Sequence, residues 1–225
     1  MIIVYLYNSI VQKMERYTLE LYDPMPYTSH HALSVGEFRV ESKSSILWTT
    51  MQAMEAWTAL CVSERERFIP HTAFRRICEG GHTCQSQHYA GLAFDFGQAF
   101  TPLKRSRLYA SAAASRFSYL EEHPDGSIHT DRRYYGDMAP HYGYPSLSPG
   151  SVGVYVIVLQ DALYTIGITG SALDGFYGPL TERSVRVFQQ FNGLPATGVT
   201  DQATWRQLTS LAAGAGQTGL VPHLS

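Results

Sequence analysis

In the stretch Ser86-Gln87-His88-Tyr89-Ala90-Gly91-Leu92-Ala93-Phe94-Asp95, an imidazole and a carboxylate stand seven residues apart around a glycine turn. Imidazole nitrogen and carboxylate oxygen both suit Zn2+, and a catalytic zinc takes three protein ligands, leaving a fourth position to a water that it acidifies. His88 and Asp95 make two thirds of such a site. His129, in Ser127-Ile128-His129-Thr130-Asp131, is the candidate third ligand, because it sits on a short strand-like segment downstream of a turn. Cys78, His82, Cys84 and His88 form a rival cluster whose spacing fits no standard structural zinc pattern well.

The elements that must position these groups are readable in outline. Leu47, Met51, Met54 and Cys61 fall on one helical face with Ser44 or Ser45 available as a cap, which predicts an amphipathic helix over residues 45–65. A strand is expected over Arg67 to Phe74. Between Gly91 and Gly97, Leu92, Phe94 and Phe96 alternate with Ala93 and Asp95, so this segment reads as a strand that turns Asp95 away from the core. Pro102 to Arg116 opens on a proline suited to a first helical turn and has an alanine-rich body, hence a helix.

Ser118 to Glu122, the turn at Pro124-Asp125-Gly126, and Ser127 to Arg133 predict a hairpin. His129 and Asp131 then share a face, and register decides which carboxylate lies across from His129. A two-residue loop selects Glu122 and a three-residue loop selects Glu121. Either is a candidate general base for a metal-activated water.

Tyr134 to Gly150 is rich in Gly, Pro and Tyr without periodicity and reads as a linker. Beyond it, Val152, Val156, Leu159, Leu163 and Ile166 define one helical face ending at Gly167. Thr181 is the expected cap of a second helix bearing Val185, Phe188 and Phe191, which Asn192-Gly193 ends. A third helix starts near Thr200 or Asp201 and carries Trp205 and Leu208. Three short helices make a compact bundle.

Composition sets bounds on partners. With 17 basic and 19 acidic residues in 225, the net charge of -2 gives no electrostatic case for nucleic acid. Three cysteines are too few for a disulfide framework, although Cys78 and Cys84 are placed to pair. No stretch approaches the roughly 18 apolar residues needed to span a bilayer. The brief apolar run Met1 to Tyr7 lacks a preceding basic residue and makes a poor signal peptide. We expect a monomer.

Two resemblances follow from these residues. Ser86 to Asp95 matches the SxHxxGxAxD pattern of the D-Ala-D-Ala carboxypeptidase family of zinc peptidases, related to vancomycin-resistance dipeptidases, phage endolysin peptidases and the hedgehog signalling domain. The resemblance covers roughly residues 35–135. It implies an α+β, hedgehog/DD-peptidase-like zinc domain with a small antiparallel sheet and flanking helices, with Zn2+ held by His88, Asp95 and His129. Thr72-Ala73-Phe74-Arg75 resembles the family segment whose arginine steadies substrate charge, which implies that role for Arg75. Ser86 and Asp131 are expected at the substrate.

One departure stands out: where many members carry an acidic residue or a histidine shortly before the last zinc ligand, this chain has Gly126 and Ser127. The base must then come from Glu121, Glu122, Asp125 or Asp131. Residues 147–211, with Leu159-Gln160, Asp174-Gly175-Phe176-Tyr177-Gly178, Phe188-Gln189-Gln190 and Gly193-Leu194-Pro195, resemble the three-helix peptidoglycan-binding domain.

The expected organisation is an N-terminal arm (1–40), a zinc peptidase domain (41–135), a linker (136–148), a peptidoglycan-binding domain (149–212) and a tail (213–225). The expected function is a hydrolase, a zinc metallopeptidase cutting the stem peptides of bacterial peptidoglycan as D,D- or L,D-carboxypeptidase or endopeptidase. Such a cell-wall lysin acts at the wall or outside the cell. The alternatives are a noncatalytic wall-binding protein with a structural or degenerate zinc domain and, more remotely, a hedgehog-like signalling or adhesion domain. A poor signal peptide beside a wall-binding module suits a phage endolysin released by a separate pore, or a truncated gene start.

Overall fold

The computed structural model describes residues 1–29, 32–133 and 143–217. Most of the expected linker, residues 136–142, and the end of the tail, 218–225, lie outside them. Two small sheets and six helices surround a continuous apolar core drawn from both halves of the chain.

The N-terminal residues are part of that core. Strand β1 (Ile2–Asn8) buries Ile2, Val4 and Leu6 and turns its tyrosines the other way, the period-two pattern of a strand. It pairs antiparallel with β2 (Lys13–Leu19) and parallel with β3 (Ile46–Thr50). Residues 1–40 are therefore not an arm separate from the domain that follows.

The helix expected over 45–65 opens as a strand. Residues 46–50 form β3, and α2 (Met51–Glu64) starts only where the Thr50 hydroxyl accepts a hydrogen bond from the Ala53 amide, so Thr50 and not Ser44 or Ser45 is the cap. Helix α2 buries Met54, Trp57 and Leu60 against an aromatic cluster in which Trp57 stacks on Phe94 with ring centres 4.6 Å apart. Residues 67–74 form no regular strand. They run extended and touch the neighbouring sheet through one bridge, Thr72 to Asp95.

The second sheet runs β4 (Ala93–Phe96), β6 (Ile128–Asp131), β5 (Tyr119–Glu122), all antiparallel. Helix α3 (Pro102–Ala114) precedes β5, capped by Thr101 with Pro102 in its first turn, as the sequence predicts. A short helix α1 (Val35–Arg39) opens on a reciprocal cap between Ser34 and Glu37.

The C-terminal bundle comprises α4 (Val154–Thr165), α5 (Pro179–Phe191) and α6 (Gln202–Gln217). Gly178 and not Thr181 stands at the N-terminus of α5, and Pro179 opens the helix, leaving Thr181 buried inside it. Asp201 caps α6 through its carboxylate and the Thr204 amide, and α6 runs on into the expected tail. The bundle's loops are tied by two buried amides. Gln160 accepts from the Asp174 and Gly175 amides and donates to the Phe176 carbonyl, and Gln189 does the same for Gly198 and Val199.

The bundle docks directly on the first half. Nearly every residue of α4 is buried, including Asp161, whose carboxylate receives the Arg76 guanidinium from the turn before Ile77–Glu79. Tyr144 and Leu147, within the expected linker, are buried, and Leu147 pairs with Thr200. Among the described residues no helix is long and apolar enough to cross a membrane.

Candidate metal centre

His88 is placed by a turn that only glycine can close. Gly91 has a φ of +67°, and a Cβ there would fall 1.8 Å from the Trp48 carbonyl oxygen. The same close approach lets the Thr49 hydroxyl donate to the Gly91 carbonyl and the Trp48 indole donate to Tyr89. The turn thus lies clamped on β3. Ser86 supports it from within, its hydroxyl accepting from the His88 amide.

The extended run 72–75 sets the ring and the carboxylate together. The Ala73 carbonyl accepts from His88 Nδ1 at 2.6 Å, while the Thr72 carbonyl accepts the Asp95 amide at 2.8 Å. With Nδ1 donating to Ala73, the His88 ring turns Nε2 toward Asp95. That atom is 3.1 Å from Asp95 Oδ2, is buried, and has no hydrogen-bond partner among the described residues. Two acceptors face each other without a proton between them.

His129 arrives from the adjacent strand, directly across from Asp95 in the β4–β6 register. Its Nδ1 lies 2.7 Å from Asp95 Oδ1 and its Nε2 lies 3.1 Å from Asp131 Oδ2. Asp131 is fully buried and is itself gripped by Arg133 through both carboxylate oxygens. The carboxylate therefore orients the His129 ring and has no free edge for substrate, which corrects the expectation that Asp131 contacts it. One ligand atom from each of His88, Asp95 and His129 lies within 4.8 Å of the others. Among the described residues the rival set with Cys78, His82 and Cys84 forms no such group, and both cysteines are free thiols.

The electrostatics fit a cation. Burial alone would raise the Asp95 carboxyl, yet the His129 imidazole bonded to it holds it well below the usual carboxylate range. Burial would lower His129, but Asp131 and Asp95 push it up to about 9. His82 stacks on His88 at 4.4 Å, and burial followed by the His88 ring lowers it to about 4, so it adds a neutral wall. An acid flanked by two imidazoles, one with an unused lone pair, is a donor set that a divalent ion of nitrogen and oxygen preference completes.

The cluster lies in a cleft of about 830 Å3 whose walls include Ser86, Glu121 and His123, and also Gln202 and Arg206 from α6. The hairpin loop is Pro124-Asp125-Gly126, so Glu121 and not Glu122 stands opposite His129. Glu121 is exposed at the cleft and accepts a hydrogen bond from the Tyr119 hydroxyl. Glu122 points to Arg105 at 4.0 Å and does not line the cleft. Asp125 caps its own loop through Ser127.

Arg75 is likewise not among the cleft walls; its guanidinium pairs with Glu41 at 2.9 Å. Sequence reasoning passes over His123, Gln202 and Arg206, and places His82 only in the rival cluster with the cysteines. His123 had a usable signal, since it lies two residues beyond Glu121 toward the same turn. The α6 residues reach the cleft only through docking of the bundle.

Comparison with known proteins bears on the bundle. Residues 153–208 match the family described as "Putative peptidoglycan binding domain". The chain carries a peptidoglycan-binding domain there. A curated protein from Kitasatospora aureofaciens, "Uncharacterized protein in bpoA1 3'region", is 37% identical over 65 residues, 28% of this chain and 55% of its own length. The chain thus spans about half of that relative. The crystal structure of a peptidoglycan-binding protein from Clostridioides difficile in complex with glutamine hydroxamate aligns with 55% of this chain and 95% of its own, at 18% identity and a TM-score of 0.30.

Proposed function

We propose that the chain is a zinc-dependent peptidoglycan peptidase that binds the wall through its C-terminal bundle and hydrolyses stem peptides in the cleft beside it. The observation that carries this reading is the unpartnered His88 Nε2 facing Asp95 Oδ2 across 3.1 Å. A buried acceptor without a donor costs about 1–3 kcal/mol, and a bound cation removes that cost. The hedgehog/DD-peptidase-like fold of the first half, and action at the cell wall as a lysin, belong to the same proposal.

His88, Asp95 and His129 would hold zinc, which supplies Lewis acidity to a water and to the scissile carbonyl. The remaining chemistry falls to the chain. The Ala73 carbonyl fixes the His88 tautomer, and Asp131 with Arg133 holds the His129 ring. Glu121, at the cleft and across from His129, takes the proton of the attacking water on its carboxylate and returns it to the leaving amine.

Zinc content measured beside digestion of purified wall tests the proposal. The expected result is one zinc per chain, release of peptide or amino acid fragments, and a fall of about 100-fold or more in turnover for Glu121→Gln with zinc retained. A zinc-loaded chain that releases nothing sinks the hydrolase reading. A noncatalytic wall-binding protein is the second reading. The matches concern peptidoglycan binding alone and at that level favour it, and the Tyr119 hydroxyl bonded to Glu121 is an arrangement such a protein would tolerate.

A further inference from the structure

Helix α6 belongs to the wall-binding bundle, yet two of its side chains, Gln202 and Arg206, form a wall of the metal-centre cleft. They stand one helical turn apart, so they share a face. That face is held in place by a chain of hydrogen bonds. Gln202 donates to the Tyr144 carbonyl at 2.6 Å, the Tyr144 amide donates to Gln85, and the Tyr144 hydroxyl donates to the Ser86 carbonyl two residues before His88. Gly143 sits where Gln85 and Gln202 converge, with their oxygens 2.7 and 2.8 Å from the position a Cβ would take. The bundle is therefore stitched to the turn that carries the metal ligand.

Arg206 is exposed at this wall, and no ion pair joins it to any described residue. The other cleft arginine, Arg133, is committed to Asp131. The exposed acid among the cleft-lining residues is Glu121. The cleft thus counts an exposed acid on β5 and an exposed arginine on α6 among its lining residues. A peptide lying across it would be oriented by its own charges.

We propose that Arg206 is a specificity-determining residue that binds the terminal carboxylate of the peptide in the cleft, so that the wall-binding bundle completes the substrate site as well as anchoring the chain. The inference rests on the peptidase reading for its substrate class. A guanidinium offers paired N–H donors that match a carboxylate, and such charge-assisted bonds are stronger than neutral ones.

Equilibrium binding by the full chain tests this apart from catalysis, using acetyl-L-Lys-D-Ala-D-Ala labelled on its lysine and the same peptide with a terminal carboxamide. The wild-type chain is expected to bind the acid about ten-fold or more tightly than the amide. Arg206→Ala should weaken the acid to the level of the amide and leave the amide within about two-fold. Arg206→Lys should recover part of the difference, and Arg183→Ala, on exposed α5 surface, should change neither peptide. Equal binding of acid and amide by the wild-type chain, no binding of either, or discrimination that survives Arg206→Ala would overturn the proposal. If discrimination through Arg206 is found but zinc-loaded protein releases no fragment, the hydrolase reading fails and this assignment stands.

Discussion

Arg76 with Asp161, and Asp95 with His88 and His129, are both sets of ionisable groups withdrawn from water, and they differ in what they open on. Arg76 and Asp161 are 8% and 1% exposed, and the guanidinium lays two donors on one carboxylate oxygen. Burial pushes the Asp161 carboxyl up while Arg76 draws it down. The pair joins the two halves away from any cleft, with Asp161 Oδ2 buried and without a hydrogen-bond partner among the described residues. The metal-centre cluster opens on a cleft and leaves the His88 Nε2 lone pair without a donor. Each set keeps one buried atom without a hydrogen-bond partner, Asp161 Oδ2 in the first and His88 Nε2 in the second, but only the second borders a cleft that something can enter.

The comparison is broken most forcefully at Arg76. Truncating one partner of a buried ion pair leaves the other charge stranded, at about 3–5 kcal/mol. Arg76→Ala should lower the unfolding free energy by that amount in a denaturant titration, whereas Arg76→Met combined with Asp161→Leu should return to near the wild-type value. A loss of less than about 1 kcal/mol for Arg76→Ala would mean that the halves are held by their apolar contacts alone.

A smaller effect is expected where the metal centre is supported rather than formed. Asp131 fixes the His129 ring through Nε2, and loss of such a supporting carboxylate typically costs about 10–100-fold in metal affinity. Asp131→Asn should show this in zinc competition against a chromogenic chelator. Unchanged affinity would leave Asp131 as a partner of Arg133 only.

The two clusters also differ in how far they were legible in the sequence. His88, Gly91 and Asp95 lie in one local run whose match to the SxHxxGxAxD pattern suggests ligands around a turn, and hairpin order makes His129 the candidate third. The three helices of the bundle carry apolar residues at steps of three and four between clear stop signals, so their existence is readable. Strand β1 was not read, because Tyr5 and Tyr7 between Ile2, Val4 and Leu6 blur an alternation that burial makes plain.

Strand β3 was absorbed into α2 because Leu47, Met51 and Met54 happen to keep helical spacing across the strand-to-helix junction. The Arg76–Asp161 pair joins residues 85 positions apart and Gln202 of the α6 wall bonds Tyr144, 58 positions before it, and no local pattern announces such contacts. The run 72–75 was found for its arginine, whereas its backbone carbonyls prove to do the positioning.

Titration separates the clusters further. His129 is pushed up to about 9 from an ordinary 6.5, so in the metal-free chain its proton stabilises the fold fully below about pH 6.5, and that contribution is lost as pH rises through 9. Zinc must displace this proton. The melting temperature of chelator-treated protein should therefore fall from pH 6.5 to 9, while zinc affinity rises by up to about ten-fold per pH unit over the same interval. Calorimetry in buffers of different ionisation enthalpy should register the released proton near pH 7. A flat zinc affinity between pH 7 and 9 would show that His129 already presents a free nitrogen.

The weakest effect is expected at Arg75, and it bears on whether side chain or backbone does the positioning in residues 72–75. The Arg75 guanidinium meets Glu41, which is 76% exposed, and water competes well for such a pair. Exposed ion pairs contribute about 0–1 kcal/mol. Its amide, in contrast, donates to the His88 carbonyl, and any residue but proline supplies that bond. Arg75→Ala should cost less than about 1 kcal/mol in thermal or denaturant unfolding and leave KM for a stem peptide within about two-fold, while Arg75→Pro, which deletes the amide, should loosen zinc. If instead Arg75→Ala raises KM ten-fold at unchanged stability, the side chain leaves Glu41 for the substrate when peptide is bound. The charge-steadying role that the sequence resemblance implies for it would then be regained, and the basic wall of the cleft would extend from Arg206 to Arg75.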